Sequence, residues 1–502
     1  ILPIVMMLLG KATVSEAKVM PGEVYFAGDA YSAPAAPIES AESYAYIGES
    51  GFRSALNSPL STFAADVDTA SYANVRRMLL AGRLPPPDAV RVEEMLNYFH
   101  YGYPQPEGDE PFSVTAEIAP CPWNDSHQLL LVGLQARDLK ARARPASNLV
   151  FLIDVSGSME GADRLGLAQR AFMLLTEQLQ PGDRVSIVTY AGADRVVLEG
   201  ATAGDAQKIM AAIENLTAGG ATAGSDGIRT AYRIAREQFI DGGNNRVLLA
   251  TDGDLNVGIT SEGELVRLIE DEKKGGVFLS VMGFGAGNLK DDRLEALADH
   301  GDGNYAYIDS ALEARRVLVE QMGGSLFTVA KDVKLQIEFN PERVAQYRQI
   351  GYENRALADE DFADDGVDGG EVGAGHRVTV LYEIVPAGDS QGNPLKYQQR
   401  ATTGSDEYLT VLIRAKAPDG GESRLYAYPV GDEAIKAQPS GDLRFAAAVA
   451  QAGMLLRGSE YAGSASYVAI AEQLAAIDNL QSDPYKDEFA YLVRRLARGD
   501  IE

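Results

Sequence analysis

The ten residues Val150-Phe151-Leu152-Ile153-Asp154-Val155-Ser156-Gly157-Ser158-Met159 constrain this chain more than any other stretch. An unbroken apolar run ends in an acid, and hydroxyls follow at alternate positions. Small residues then keep the loop open. A strand buried on both faces of a parallel sheet has this pattern, and its carboxyl end would deliver Asp154, Ser156 and Ser158 to the rim where open α/β sheets bind ligands. Three hard oxygen donors on one tight loop suit a hard cation such as Mg²⁺ better than zinc or copper.

Two further segments can complete such a site. Leu216–Asp226 is a glycine-rich loop carrying the hydroxyl of Thr222 and leading into a helical pattern, and Arg246–Asp254 is a second apolar strand ending in Thr251-Asp252-Gly253-Asp254. Taken singly, an Asp closing a strand also suits a helix N-cap, and Asp-Gly-Asp suits a turn. Taken together and in this order, the DxSxS loop, the distant threonine and the TDGD turn resemble the metal-ion-dependent adhesion site (MIDAS) of von Willebrand factor type A (VWA) domains. The resemblance implies that Ser156, Ser158 and Thr222 are hydroxyl ligands of Mg²⁺, with Mn²⁺ or Ca²⁺ as alternatives. It implies that Asp154 and Asp252 bind the metal or hold its waters. Mg²⁺ takes an octahedron of oxygens and keeps several waters, so few protein ligands suffice. Neutral hydroxyls leave the ion electrophilic, and in the family its open position accepts a carboxylate from a protein partner.

The surrounding periodicity supports the fold independently. Leu165, Ala168, Phe172, Leu175 and Leu179 mark a helix after the first strand. Strands are predicted at Arg184–Tyr190, Arg195–Leu198, Arg246–Thr251, Val277–Phe284 and Asn304–Ile308. Helices are predicted at Ala206–Leu216, Ile228–Phe239, Glu262–Glu272, Asp291–Ala298 and from Leu312 to Met322. Alternation of this kind predicts an α/β class: a Rossmann-like, mostly parallel, doubly wound sheet. Before it, helices near Thr69–Leu80 and Val90–Tyr98 precede strands Phe112–Ile118 and Gln128–Leu134. After it come strands Val333–Phe339, Arg377–Ile384, Tyr408–Ala415 and Arg424–Tyr428, then helices Leu443–Leu456, Tyr467–Asn479 and Glu488–Ala497. We expect the strands on either side to join into one β-sandwich, so that the VWA domain is inserted in the flanking domain. Both flanks resemble those of a bacterial VWA subfamily, through Ser61–Tyr72, Glu371–His376 and Phe445–Ser459, over about residues 60–500. The expected organisation is 1–17 a truncated export signal or anchor, 18–58 a linker, 59–145 an N-terminal flanking domain, 146–324 the VWA domain, 325–430 a β-rich domain and 431–502 a helical domain.

A net charge of −27 opposes nucleic-acid binding and anionic membrane surfaces. The single cysteine, Cys121, excludes an intramolecular disulfide. Ile1–Leu9 is apolar, and Ser15-Glu16-Ala17 suits signal-peptidase cleavage. This reads as a truncated export signal, with an N-terminal membrane anchor as the alternative, and it implies a periplasmic, cell-surface or extracellular location. Asp66 and Asp68 suggest a second metal site, but capping the helix at Thr69 explains them more cheaply. The acidic stretch Asp359–Asp368 fails EF-hand spacing at Ala363 and reads as a solvated loop. Gly283-Phe284-Gly285-Ala286-Gly287 only partly matches a dinucleotide loop. His100, His127, His300 and His376 lack metal-protease spacing, and no nucleophile elbow appears, so no catalytic residue is expected. The resulting expectation is a metal-dependent adhesion module that binds a partner's Asp or Glu carboxylate. The alternatives are an assembly subunit of an envelope complex and, against the export signal, an adaptor for MoxR-type ATPases.

Overall fold

The computed structural model describes residues 44–65, 68–138, 144–219, 227–253, 262–286, 291–321, 328–367, 369–388, 404–418 and 420–501. The chain enters through β1 (Arg53–Ser54), β2 (Leu60–Ala64), α1 (Ala70–Leu80), α2 (Val92–Asn97), β3 (Phe112–Pro120) and β4 (Gln128–Ala136). The α/β segment runs β5 (Ser147–Asp154), α3 (Leu165–Thr176), β6 (Arg184–Tyr190), β7 (Asp194–Thr202), α4 (Ala206–Glu214) and α5 (Gly227–Glu237). It continues β8 (Asn244–Thr251), α6 (Glu262–Lys274), β9 (Val277–Phe284), α7 (Asp291–His300), β10 (Tyr305–Ile308) and α8 (Ala311–Arg315). Next come β11 (Thr328–Phe339), β12 (Val344–Ile350), β13 (Gly370–Gly373), β14 (Arg377–Pro386), β15 (Leu409–Ala417) and β16 (Gly420–Val430). The last helices are α9 (Gly441–Arg457), α10 (Tyr467–Ala475) and α11 (Pro484–Arg498).

Every residue of β5 and of β8 is buried, as their apolar runs require in a sheet covered on both faces. Their sheet has the order β10-β9-β8-β5-β6-β7, parallel except for the antiparallel edge strand β7. Helices α3, α4 and α8 pack on one face around Phe151, Phe172 and Ile209. Helices α5, α6 and α7 cover the other, together with Ala70 and Ala73 of α1. A helix from the preceding flank thus completes a layer of the α/β domain. The helix expected from Leu312 to about Met322 forms as α8 to Arg315 and continues as a π-helix over Arg316–Glu320; Met322 lies outside the described residues.

The flanking strands join across the insertion. One sheet has the order β1-β12-β14-β4-β3, so β3 and β4, from before the VWA domain, are hydrogen-bonded to β14 from after it. The second sheet, β13-β11-β15-β16 with β2 also on β11, packs against the first through a shared core that includes Phe63, Leu130, Ile337, Tyr382 and Val411. This is a β-sandwich with the α/β domain inserted in it, as expected. Helices α9 and α11 bury Phe445, Met454 and Phe489 in a fourth core with Tyr72, Phe99 and Trp123.

Two readings of the sequence need correction and a third needs refinement. Residues 44–58 fall in the expected linker, yet β1 pairs with β12, Arg457 donates to the Ile47 carbonyl at 2.5 Å, and Glu49 accepts from Ser459 at 2.6 Å. Asp68 does not cap α1: Thr69 is the N-cap residue, and the buried Asp68 carboxylate accepts from Tyr305 N (2.9 Å) and Arg355 (3.0 Å). It ties the flank to the VWA edge strand; Asp66 lies outside the described residues. The acidic stretch from Asp359 keeps Asp359, Glu360, Asp364 and Asp365 exposed, as expected of a solvated loop, but it is anchored through the buried Phe362 and through the carbonyls of Asp361 and Asp364, which accept from Lys334.

Candidate metal centre

Asp154 is the last residue of β5, and Asp252 follows the last residue of β8, its parallel neighbour. Their carboxylates therefore meet at the same end of the sheet, and both are buried. The chain turns out of β5 through a single 3-10 turn at Gly157–Met159, held down by the fully buried Met159. Ser156 N donates to Asp154 Oδ1 at 2.8 Å, and the hydroxyls of Ser156 and Ser158 lie 2.9 Å apart. Thr251 Oγ1 lies 3.4 Å from Asp154 Oδ2 and accepts from Gly253 N at 3.2 Å, which links the two strand ends.

The third segment arrives at the same place. Gly219 N donates to the Val155 carbonyl at 2.9 Å, putting the start of the glycine-rich loop against the serine loop. The loop leaves through Gly227, where a Cβ would sit 2.7 Å from Tyr190 Cβ, so only glycine lets α5 approach β6 this closely. Thr222 itself lies outside the described residues. Four of the five expected ligands, Asp154, Ser156, Ser158 and Asp252, are thus gathered by the described structure.

Burial pushes Asp154 up to about 6, against hydrogen bonds from Ser156 that lower it, and the Asp252 carboxylate adds to the rise. Tyr190, paired with Asp154 across β5 and β6, is buried beside it, and burial first and the Asp154 charge next hold its phenol protonated. Two neighbouring buried acids with hydroxyls around them are a set that a hard cation would neutralise. All the donors are oxygens, and among the described residues no group of three or more His, Cys, Asp or Glu side chains forms a site of another kind. The donor set fits Mg²⁺.

Sequence reasoning missed two neighbours. Tyr190 could have been found from strand register, since it ends the strand beside β5. Arg164 gave no signal: its guanidinium donates to the Ser158 carbonyl at 2.6 Å and to the Ala286 carbonyl at 3.0 Å. Cys121 is buried, and burial pushes its thiol up to about 12. Ellman's reagent should therefore leave the folded chain unmodified and react once per chain in urea; rapid reaction of the folded chain would contradict this burial.

Comparison with known proteins agrees with this architecture. The model described as von Willebrand factor type A domain matches residues 149–254, that described as von Willebrand factor matches 38–131, and that described as Uncharacterized protein YfbK, C-terminal, matches 324–498. YfbK of Escherichia coli (strain K12) is 45% identical over 453 residues, spanning 88% of this chain and 78% of that protein. The chain belongs to the YfbK family of VWA-domain proteins. Protein sll0103 of Synechocystis is 28% identical over 38% of this chain and 44% of its own length. A solved von Willebrand factor type A protein from Catenulispora acidiphila is 17% identical, covering 77% of this chain and 89% of that one with a TM-score of 0.40. The family resemblance read from both flanks thus holds for the YfbK relative over most of the chain.

Proposed function

We propose that this chain is a metal-dependent protein-binding module of the bacterial cell envelope, not an enzyme. In this reading Asp154, Ser156, Ser158, Thr222 and Asp252 hold Mg²⁺, which bridges to an Asp or Glu carboxylate of a protein partner. The observation that carries it is the convergence of the Asp154 and Asp252 carboxylates with the Ser156 and Ser158 hydroxyls at the carboxyl ends of adjacent parallel strands. Bound there, the metal supplies an electrophilic open position. The chain's own residues hold the serine loop through the hydrogen bond from Ser156 N to Asp154 and shield the acids from water by burial. The envelope location rests on the apolar Ile1–Leu9 stretch and the Ser15–Ala17 cleavage pattern. Among the described residues no helix is long and apolar enough to cross a membrane.

The test is a pull-down from envelope extract with the full chain as bait, in Mg²⁺, in EDTA, and with Asp252→Ala in Mg²⁺. A partner retained in Mg²⁺ and lost under both other conditions supports metal bridging. A partner retained in all three refutes it and favours the second reading, a permanent assembly subunit. That second reading draws on the fixed seating of the VWA domain, whose edge is bridged to the flanks through Asp68, Arg355 and Glu295. Metal binding has its own readout. Mg²⁺ at a hundredfold excess over its Kd should raise unfolding free energy by about 2.7 kcal/mol in the wild type and by much less in Asp252→Ala.

A further inference from the structure

The glycine-rich turn after β9 and the serine loop after β5 are far apart in sequence, and one side chain joins them. Arg164 is the N-cap residue of α3, its backbone fixed by hydrogen bonds from Leu167 N and Ala168 N to its carbonyl. Its guanidinium spans two carbonyls: Nη1 donates to Ser158 at 2.6 Å and Nη2 to Ala286 at 3.0 Å. Gly285 makes this seat possible. It adopts φ +74°, and a Cβ there would lie 2.5 Å from Arg164 Nε and 2.6 Å from Arg164 Cγ. The turn is held from its other side, where Tyr307 Oη donates to the Gly285 carbonyl at 2.9 Å. Tyr307 in turn lies under the Arg77 guanidinium of α1, 5.5 Å from the ring centre.

We propose that Arg164 is a positioning residue for the metal loop, a latch that fixes Ser158 by tying its carbonyl to the Gly285–Ala286 turn. Its consequence for metal binding rests on the function proposed above; the latch itself does not. A planar guanidinium can satisfy two carbonyls at fixed separation, whereas an ammonium is a point donor on a flexible stem. Groups that orient metal ligands from behind affect affinity by roughly 10–100-fold when removed. With the latch in place the serine hydroxyls are pre-set, and the ion binds without ordering the loop.

The experiment uses the full chain as wild type, Arg164→Gln, Arg164→Lys and Gly285→Ala, with Mn²⁺ as the probe. Three quantities are read: Mn²⁺ affinity by titration, metal-free thermal midpoint, and metal-free amide exchange at Ser156–Glu160. The expected result is faster exchange in that loop for all three variants. Mn²⁺ affinity should fall by roughly 10–100-fold in Arg164→Gln, and Arg164→Lys should recover part of it. The thermal midpoint of Arg164→Gln should stay near that of the wild type, which separates positioning from general loss of structure. Unchanged loop exchange in both Arg164 variants would overturn the latch. Wild-type affinity in Arg164→Gln would overturn its role in positioning the metal ligands, and so would wild-type affinity in Arg164→Lys, since charge alone would then suffice. If the wild type itself bound no Mn²⁺ while the variants still loosened the loop, the latch would stand and the metal reading would fall.

Discussion

Arg76→Ala is expected to cost about 3–5 kcal/mol of unfolding free energy, the loss typical when one partner of a buried ion pair is removed. Arg76 lies on α1, ahead of the VWA domain, and its side chain is 2% exposed. It pairs with Asp309, donates to Glu313 at 3.0 Å and to Tyr98 Oη at 2.5 Å, and lies 3.5 Å from Glu488 of α11. Three parts of the chain therefore meet at one guanidinium. Burial raises Asp309, while Arg76 opposes that rise, so without the arginine its carboxylate would be stranded. Glu313 would keep Arg316, which donates to it at 2.6 Å and lies 3.8 Å from the Tyr98 ring centre. Asp309 would have no comparable replacement. Equilibrium unfolding in urea measures the loss, and amide exchange in α1 and β10 should rise along with it. A change below about 1 kcal/mol, the scale of an exposed pair, would mean that the network does not lock the VWA domain to its flanks.

This interlock was invisible in the sequence, and the reason is physical. Strands β5 and β8 were legible because burial on both faces writes a continuous apolar run into a short window. The serine loop after β5 was legible because its acid and hydroxyls sit at fixed short spacings. Strand β12 was missed because Gln346, Arg348 and Gln349 interrupt its apolar pattern. Arg348 is buried there with Glu383 of β14 (3.0 Å) and Glu49 of the segment before β1 (3.4 Å) meeting its charge. Asp68 looked like a helix cap because a cap is the local use of such a residue, whereas its actual partners, Tyr305 and Arg355, are 237 and 287 positions away. Arg164 carries the same lesson into the site. Its spacing from Ser158 suggests nothing until the turn at Gly285 is brought beside it. Local periodicity reports burial and turn chemistry, whereas ion pairs and carbonyl bridges between distant segments depend on the finished topology.

The second large effect is a pH dependence centred on Glu93. This residue, in α2, is 2% exposed and lies near Glu353, Glu94, Arg91 and Arg457 around a small cavity also lined by Ile47 and Pro87. Burial raises it from 4.5 to about 7, with Glu353 and Glu94 adding to the rise and Arg91 opposing it. Among the described residues its Oε2 has no hydrogen-bond partner, and a Cβ at Gly351 would lie 2.5 Å from that atom. The folded state thus binds this proton more tightly than the unfolded state does. Stability from Glu93 is fully present below the unfolded value and is lost as pH rises through the folded one, between about 4.5 and 7. The difference corresponds to about 3 kcal/mol. Glu93→Gln, which keeps the shape and removes the titration, should be nearly neutral at low pH and more stable than the wild type by up to that amount at pH ~8. Urea unfolding of both proteins at the two ends of this range tests it. Taking the difference between them cancels the slopes from distant acids such as Asp154. A mutant-minus-wild-type difference that does not change with pH would mean that Glu93 is already ionised in the folded chain, with Arg91 and Arg457 balancing its charge.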